Sequence, residues 1–233
     1  MLLEPNHIHI WSTTLSIDPV QEKHFLSLLS PDEEVRIHRI RLLPSKQRAI
    51  ASRGFLRVIL SYYLNVAPEF IQLGVGEHNK PYLIAPKHPN IKFNLTHSND
   101  EVVYAITLDA EIGVDIEKIK NEFNAAIASR YFSVAENAEL AKLALYEQNQ
   151  AFYQLWARKE AIVKAIGSGL SLPLTSFTVA AKDVAESIEL KEKTWSLQPL
   201  SILPNYASAV ASAQIIKCIS YWRPTSDGYT MIT

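Results

Sequence analysis

Two acidic side chains lie one residue apart in the segment IGVDIEKIK, residues 112–120, which otherwise has the apolar pattern of a buried β-strand. Positions i and i+2 of a strand face the same side, so Asp115 and Glu117 project together while their apolar neighbours face the other way. Two carboxylates on a rigid strand suit a hard cation such as Mg²⁺, which takes one or two carboxylates, several waters and the phosphates of a substrate. An exposed strand end with solvated acids has the same spacing, so both interpretations stay open.

A third acid lies in the segment AFYQLWARKEAIVKAIGSG, residues 151–169. Glu160 and Lys164 are one helical turn apart, on a face roughly opposite to the apolar residues of this predicted helix. Such a pair is commonly an exposed salt bridge. Trp156, one turn before Glu160, would be unusual on a fully solvated face, and this favours a site beside it. The local pattern leaves both interpretations open.

Basic residues are concentrated between residues 35 and 68, where seven Lys or Arg occur and no acid. Lys46, Arg53 and Arg57 fall on one stripe of a predicted helix by their i, i+7, i+11 spacing. Guanidinium groups offer forked donors to phosphate oxygens, so this stripe is a candidate phosphate site. Charged residues on a solvated helix face are the commoner explanation of such a stripe.

Further polar candidates lie in the turn HNKPYL and at the end of the predicted strand FNLTHS. The turn contains Lys80, and the strand ends with the hydroxyl, imidazole and hydroxyl groups of Thr96, His97 and Ser98. A lone histidine in this position is more often structural than catalytic. Neither GxxxxGK[ST] nor GxGxxG occurs, so a phosphate would have to be held by side chains rather than by a glycine-rich loop.

The elements that position these residues run along the chain as helices followed by strands, twice over. Ser30 and Pro31 begin a predicted helix, and a longer helix follows over PSKQRAIASRGFLRVILSYYL. A second helical stretch is predicted from Asn121 to Ile166. Strands are predicted around HIHIWS, FIQLGV, PYLI, IKFNLTHS, EVVYAITL and GVDIEKI, and later around SFTVAA, SIEL, TWSLQPL and AQIIKCISYW. The fold class is therefore α+β, with two similar halves that meet near residue 110.

Length, charge and cysteine content limit the function classes. The chain has 233 residues, 48% of them hydrophobic, and a formal net charge of −1. These values fit a globular protein and argue against binding nucleic acid or an anionic membrane through bulk charge. The single cysteine, Cys218, excludes an intrachain disulfide, and we expect it to be a small buried residue. Because neither a signal-peptide pattern nor a long apolar run is present, we expect a cytoplasmic protein.

Together these segments resemble the 4′-phosphopantetheinyl transferase superfamily, in its long, surfactin-synthetase-activating (Sfp-type) branch. The family signature is a G-[VI]-D-x-E strand followed later in the chain by W-x-x-K-E-[SA]-x-x-K. The chain has GVDIE at residues 113–117 and WARKEAIVK at residues 156–164. The segments NKPYL, FNLTHS, RYFS and GSGLSLPLTSFTV also match the family. Shorter members have a single α+β module and assemble as trimers, so this length implies a monomer whose two halves are related by a pseudo-twofold.

The resemblance implies transfer of the phosphopantetheine arm of coenzyme A to a serine of an apo acyl or peptidyl carrier protein, with release of adenosine 3′,5′-bisphosphate. It places coenzyme A phosphate contacts in residues 1–108, the metal-binding motifs in residues 109–233 and the active site in the cleft between them. The implied ligands of Mg²⁺ are Asp115, Glu117 and Glu160. The implied catalytic residues are Glu160, Lys164 and Asp115. The implied coenzyme A-binding residues are Arg53, Lys80, Thr96, His97 and Lys164.

In the implied mechanism, Mg²⁺ stabilises charge on the pyrophosphate, and no covalent nucleophile is needed. Mn²⁺ can substitute at such an all-oxygen site. Glu160 is the candidate general base, directly or through a metal-bound water, with Glu136 as the second choice. The carrier could serve fatty acid, polyketide, nonribosomal peptide or lysine biosynthesis. The alternative function is a non-catalytic coenzyme A or nucleotide-binding module of the same fold.

Two further expectations follow from the resemblance. A family member has a lysine near the position of Glu33, so one basic contact is missing, and Arg36 is its partial replacement. The carrier is expected to dock beside the metal, where Phe123, Ile127 and Tyr131 are spaced i, i+4, i+8 and form either an apolar patch or part of the core.

Overall fold

The computed structural model of the chain describes residues 1–76, 78, 80–88, 90–120, 124–226 and 228–232. Its helices are α1 (Pro19–Leu28), α2 (Pro31–His38), α3 (Leu43–Leu64), α4 (Ala125–Tyr131), α5 (Val134–Ala141) and α6 (Leu145–Ile166). Its strands are β1 (His7–Thr14), β2 (Gln72–Val75), β3 (Pro81–Ala85), β4 (Ile91–Ser98), β5 (Glu101–Leu108), β6 (Ile112–Lys118), β7 (Glu186–Leu190), β8 (Lys193–Pro199), β9 (Tyr206–Ser212), β10 (Cys218–Thr225) and β11 (Gly228–Ile232).

The helix starts follow from local capping. Ser30 accepts from the Glu33 amide while the Glu33 side chain accepts from the Ser30 amide, and this capping box begins α2 as the sequence predicts. Asp18 and Gln21 form the same box at the start of α1, a helix that the sequence analysis did not predict. Three α-helices therefore lie between β1 and β2, rather than two.

Most of the predicted strands are confirmed, but the strand predicted over SFTVAA is wrong. Residues 174–176 form a 3₁₀ turn, and the backbone that follows bonds to side chains instead of to a neighbouring strand. The amide of Val179 donates to Glu136 and that of Ala180 to Glu186. Strand β9, with the sequence YASAVAS, was not predicted because alanine has little strand propensity. Pairing with β6 on one side and β8 on the other holds it in the sheet.

The α+β class with two similar halves is confirmed. The first half has a five-stranded sheet in the order β11-β10-β1-β5-β4, and the second has a four-stranded sheet in the order β6-β9-β8-β7. Each half contains a helix of 22 residues, α3 or α6, whose apolar face shares a buried core with strands of its own sheet. A two-stranded sheet, β2-β3, stands apart from both.

The last strands of the chain return to the first half. Strand β10 runs parallel to β1, with His7 opposite Cys218, and β11 continues the same sheet. The boundary near residue 108 stays a prediction. Strands β10 and β11 come after this boundary in the chain, but they belong to the sheet of the first half. Cys218 is exposed, so its expected burial is wrong; it is the first residue of β10, where the strand enters the sheet. In the part of the chain that is described, no helix has the length and apolar character needed to cross a membrane.

Candidate functional site

A cleft of about 1060 Å³ lies between the two halves. Helices α2 and α3, the β2–β3 region and the end of β4 form the wall from the first half. The other wall is the C-terminal part of α6, including Glu160 and Lys164. The two residues predicted from helical spacing therefore do face a concave site. Lys164 is partly buried there rather than part of an exposed surface salt bridge.

Alternate side chains of β4 join the two sheets. Asn94 accepts from the amide of Val114 at 2.9 Å, and Ser98 accepts from the amide of Lys118 at 3.0 Å. Because residues i, i+2 and i+4 of a strand share a face, Thr96 lies between these two contacts and also faces β6. Asn94 was missed in the sequence analysis, although the alternation of polar residues in FNLTHS is the signal that would have identified it.

Asp115 is the centre of a buried polar network. The ammonium of Lys164 donates to Asp115 Oδ1 at 2.5 Å and to Thr96 Oγ1 at 3.0 Å, and Thr96 Oγ1 donates to Asp115 Oδ1 at 3.0 Å. The second oxygen, Oδ2, is buried and has no hydrogen-bond partner. Burial raises the pKa of Asp115, and the positive charge of Lys164 opposes this rise. One carboxylate oxygen is thus held and the other is left unpaired.

The other two predicted metal ligands are electrostatically coupled to Asp115. Burial, together with the Asp115 charge, raises the pKa of Glu117 to about 7. The same two causes, burial first, raise the pKa of Glu160. Ser98 donates to Glu117 at 3.3 Å. As their side chains stand, no three acidic, histidine or cysteine residues in the described ranges form a preassembled metal site.

Strand β6 and helix α6 can approach closely because residue 113 is glycine. A Cβ atom added to Gly113 would lie 2.1 Å from the carbonyl oxygen of Ala161 and 2.2 Å from the amide nitrogen of Ala165. Both neighbours are backbone atoms of a buried helix, so they cannot move aside at little cost. The glycine of the GVDIE motif is therefore what lets Lys164 on α6 reach Asp115 on β6.

The opposite wall of the cleft is basic. Arg36, Arg48 and Arg53 line it, together with His97. Burial lowers the pKa of Arg53 while Glu33 opposes that effect, and Arg53 Nη1 is buried without a hydrogen-bond partner. The pKa of His97 is lowered by burial and then by the charges of Lys164 and Arg48. Arg36 and Arg48 belong to the basic segment, but the predicted stripe did not include them.

Arg57 does not belong to this wall, which corrects the predicted phosphate-binding stripe. Its guanidinium is buried and donates to Glu33 at 2.6 Å and to the backbone carbonyls of Pro68 and Ile71. Glu33 is also buried. Its carboxylate is compensated there by the ion pair with Arg57 and by the hydrogen bond that caps α2. This explains why an acid can stand where a family member has lysine. Lys46 lies outside the cleft lining as well.

Lys80 lines the cleft, but its ammonium is already engaged. It donates to the carbonyl oxygens of Lys164 and Ile112 at 2.9 and 3.3 Å, and to Glu111 at 3.4 Å. Burial lowers the pKa of Lys80, and the Glu111 charge opposes this effect. Lys80, which was predicted to contact coenzyme A, thus links three segments of the protein through its ammonium group.

Glu136 is ruled out as a general base because it is buried in the second core, away from the cleft. Its Oε1 lies 2.8 Å from the buried ammonium of Lys159 and accepts from the amide of Val179, while Oε2 accepts from the amide of Ser133. Its exposed fraction is 2%. A serine hydroxyl from another protein cannot reach this carboxylate.

Trp156 and Tyr131 belong to the second core rather than marking a separate site. Trp156 packs edge-on against Tyr131, with ring centroids 5.5 Å apart, and near Phe132. Ile127 is 36% exposed. The third member of the predicted apolar patch, Phe123, lies outside the described residues.

Comparison with known proteins gives consistent matches over most of the chain. The model of the 4′-phosphopantetheinyl transferase superfamily matches residues 111–211, and that of the N-terminal part of 4′-phosphopantetheinyl transferase matches residues 17–108. The transferase ffp of Bacillus subtilis is 36% identical over 194 residues, which cover 81% of this chain and 84% of the relative. Sfp of Bacillus subtilis strain 168 is 32% identical, covering 83% of this chain and 86% of the relative. HetI of Nostoc sp. is 29% identical, covering 91% and 90%.

Proposed function

Because this chain belongs to the 4′-phosphopantetheinyl transferase superfamily, in its Sfp-type branch, we propose that it transfers the phosphopantetheine arm of coenzyme A to a serine of an apo carrier protein. The observation that carries the proposal is the cleft between the halves. A basic wall with Arg36, Arg48 and Arg53 faces a wall with Glu160 and Lys164, behind which Asp115 is buried. Such a cleft can bind a phosphate-rich nucleotide on one side and stabilise the negative charge of its phosphates on the other.

The basic wall is the proposed site for the nucleotide phosphates. Arg53 has a buried donor without a partner, and a forked guanidinium suits phosphate oxygens. The lowered pKa of His97 favours its neutral form, which can donate one ring N–H to a phosphate oxygen. Thr96 and Lys164 line the cleft and contact Asp115, so we expect the pyrophosphate to bind beside them.

The acidic cluster is the proposed Mg²⁺ site. Asp115 has a buried oxygen without a partner, and its charge raises the pKa of both Glu117 and Glu160. A divalent cation would relieve this mutual repulsion, and Mg²⁺ needs only one or two carboxylates when waters and phosphates complete its shell. The carboxylate oxygens present therefore fit the chemistry of the metal, and Asp115, Glu117 and Glu160 are the residues that would hold it. When bound, Mg²⁺ supplies Lewis-acid stabilisation of charge on the pyrophosphate.

In the proposed reaction the serine hydroxyl oxygen attacks the phosphorus that carries the pantetheine. A new P–O bond forms to serine, the bond to the bridging oxygen breaks, and adenosine 3′,5′-bisphosphate leaves with that electron pair. Glu160 accepts the serine proton, because its carboxylate lines the cleft that the serine would enter. Lys164 offsets the negative charge of the phosphates. Transfer then depends mainly on positioning and charge.

Intact-mass measurement of an apo carrier protein tests this function. The carrier is incubated with the protein, coenzyme A and Mg²⁺, and the expected result is the added mass of one phosphopantetheine on the carrier serine. A carrier with that serine replaced by alanine is the control. Tight binding of coenzyme A without transfer to any of a panel of fatty acid, polyketide and peptide carriers would instead support a binding module. Repeating the assay with Mn²⁺ defines the metal preference. The cytoplasmic location and the monomeric state of the protein stay predictions.

A further inference from the structure

Lys80 links three segments that meet at the end of the cleft. It comes from the connection between β2 and β3 in the first half, and its acceptors belong to the second half or to the connection that leads into it. They are the carbonyl oxygens of Lys164 and Ile112 and the carboxylate of Glu111, at 2.9, 3.3 and 3.4 Å. The Lys80 side chain is 22% exposed.

The contact with Lys164 completes the C-terminal end of α6. The last carbonyl groups of a helix have no partner within the helix, and a positive charge at that end is favourable. The carbonyl of Val163 is satisfied by the amide of Gly167, and the carbonyl of Lys164 is satisfied by Lys80. The backbone of Lys164 is therefore held by Lys80 while its side chain binds Asp115.

The contact with Ile112 holds the other element of the site. Ile112 is the first residue of β6, the strand that carries Asp115 and Glu117. Lys80 thus touches both β6 and α6 beside Gly113, where an added Cβ would collide with the backbone of α6. An ammonium group has three N–H donors, and three acceptors already surround this one.

We propose that Lys80 is a positioning residue, which holds β6 and α6 in the relation that lets Lys164 meet Asp115, and that it is not a phosphate contact. This inference rests on the proposed function, because it concerns the arrangement of that same site. The resemblance to known transferases implied the opposite role, a direct contact with coenzyme A. The two roles differ in what removal of the ammonium would change.

The variant Lys80→Met, which keeps most of the side-chain length, separates these roles. We expect kcat to fall by at least about tenfold, because small misplacements of catalytic groups reduce rate strongly. The dissociation constant for adenosine 3′,5′-bisphosphate should change less than about twofold, and amide hydrogen exchange should become faster in the last turn of α6 and at the start of β6. A tenfold weaker nucleotide affinity with unchanged exchange would overturn the proposal.

Lys92→Met is the matched control. Lys92 also lies 3.4 Å from Glu111, but its side chain is 42% exposed, and within the described ranges its ammonium donates to no backbone carbonyl. We expect its exchange pattern, kcat and nucleotide affinity to match those of the wild type. If Lys92→Met reproduced the changes of Lys80→Met, loss of charge near Glu111 would explain both and the positioning role would fail.

Chemical labelling of the wild-type protein tests the proposal even if Lys80→Met does not fold. Acetylation of Lys80 should be much slower than that of Lys92, and adenosine 3′,5′-bisphosphate should change its rate less than about twofold. Rapid labelling of Lys80 that the nucleotide suppresses would contradict the proposal. Hydrogen exchange and labelling do not depend on transfer, so absence of transfer by the wild type would refute the proposed function without deciding this inference.

Discussion

The ammonium of Lys164 lies 2.5 Å from Asp115 Oδ1, so a residue implied to contact substrate phosphate also pairs with an implied metal ligand. Helix α6 supplies one member of the pair and strand β6 the other. The Asp115 side chain is 3% exposed and that of Lys164 is 28% exposed, so the pair spans from the buried strand to the cleft surface.

Replacing Lys164 by Met should reduce both stability and transfer. The change leaves Asp115 buried with fewer partners, which is expected to cost about 1–3 kcal/mol of unfolding free energy. It also removes positive charge beside the phosphates, and kcat/KM is expected to fall by about 10²–10³-fold. Urea unfolding and the transfer assay measure the two effects. The double variant Asp115→Asn, Lys164→Met should recover stability but not transfer; wild-type stability in Lys164→Met would contradict the pairing.

Replacing Glu160 by Gln should remove transfer while the fold stays intact. Loss of a general base typically costs about 10²–10⁴-fold in rate. The melting temperature should be equal or higher, because the variant removes a charge that Asp115 repels. Glu139→Gln is the matched control, since Glu139 lies on the exposed face of α5 and forms a surface ion pair with Lys142. Near-normal turnover of Glu160→Gln would refute its role.

Replacing Gly113 by Ala should destabilise the protein by about 1–3 kcal/mol or more, as is typical of overpacked sites. The added methyl group would force α6 away from β6, so transfer should fall as well. Thermal unfolding and the transfer assay measure both changes. Gly76→Ala is the control, because a Cβ there meets its nearest atom at 3.5 Å. Equal melting temperatures for the two variants would show that the close approach is not needed.

Replacing Arg57 by Met should cost about 3–5 kcal/mol of unfolding free energy, since the buried carboxylate of Glu33 loses its 2.6 Å ion pair and keeps only the more distant Arg53, at 3.9 Å, as a described cationic neighbour. Denaturant unfolding measures this cost. The double variant Glu33→Met, Arg57→Met should recover much of it, because it removes both charges of this buried pair.

Arg53→Met provides the comparison on the same helix. We expect its stability to stay near that of the wild type while its affinity for adenosine 3′,5′-bisphosphate falls by about tenfold or more. Calorimetric titration with the nucleotide measures this effect. If Arg57→Met lost nucleotide affinity at full stability, the buried structural role assigned to Arg57 would be wrong.

The pH dependence of stability should contain a contribution from His9. Burial, and then the charge of His7, lowers the pKa of His9 to about 4, compared with 6.5 in the unfolded chain. Between these values the unfolded state binds the extra proton, so stability falls as pH decreases, by up to about 1.4 kcal/mol per pH unit. Above pH 6.5 His9 is neutral in both states and contributes no slope.

The variant His9→Gln tests this linkage by urea unfolding at several pH values between 4 and 7, the window set by the His9 pKa. Its stability should decline less steeply over that window than the stability of the wild type. Parallel curves for the two proteins would show that His9 does not titrate differently on unfolding. The comparison uses the difference between the curves, because other groups titrate equally in both proteins.

The sequence predicted those features that depend on local pattern. Alternation in GVDIE placed Asp115 and Glu117 on the strand, and helical spacing placed Glu160 and Lys164 together on the cleft side of α6. Whether a basic helix face meets solvent, a ligand or another helix depends on tertiary packing. Arg57 was misassigned for this reason: α2 covers its part of α3, and Glu33 is the residue that meets it.

Long-range contacts could not be predicted from the sequence either. The spacing of Lys80 relative to the motifs carries no information about the carbonyl oxygen of Lys164, which is 84 positions away. Strand β9 is rich in alanine, and its β-structure comes from pairing with neighbours on both sides. In each case the deciding partner is remote in the chain.

The parallel pairing of β1 with β10 has a consequence for the order of folding. His7 and Ser220 are hydrogen-bonded at 2.9 Å although they are 213 positions apart. During synthesis β1 leaves the ribosome long before β10 exists, so only its β5 side can pair, and the other edge stays open to other chains. Pairing of β10 with β1 therefore comes late in synthesis. Nascent chains that end before about residue 218 should be the most prone to aggregate.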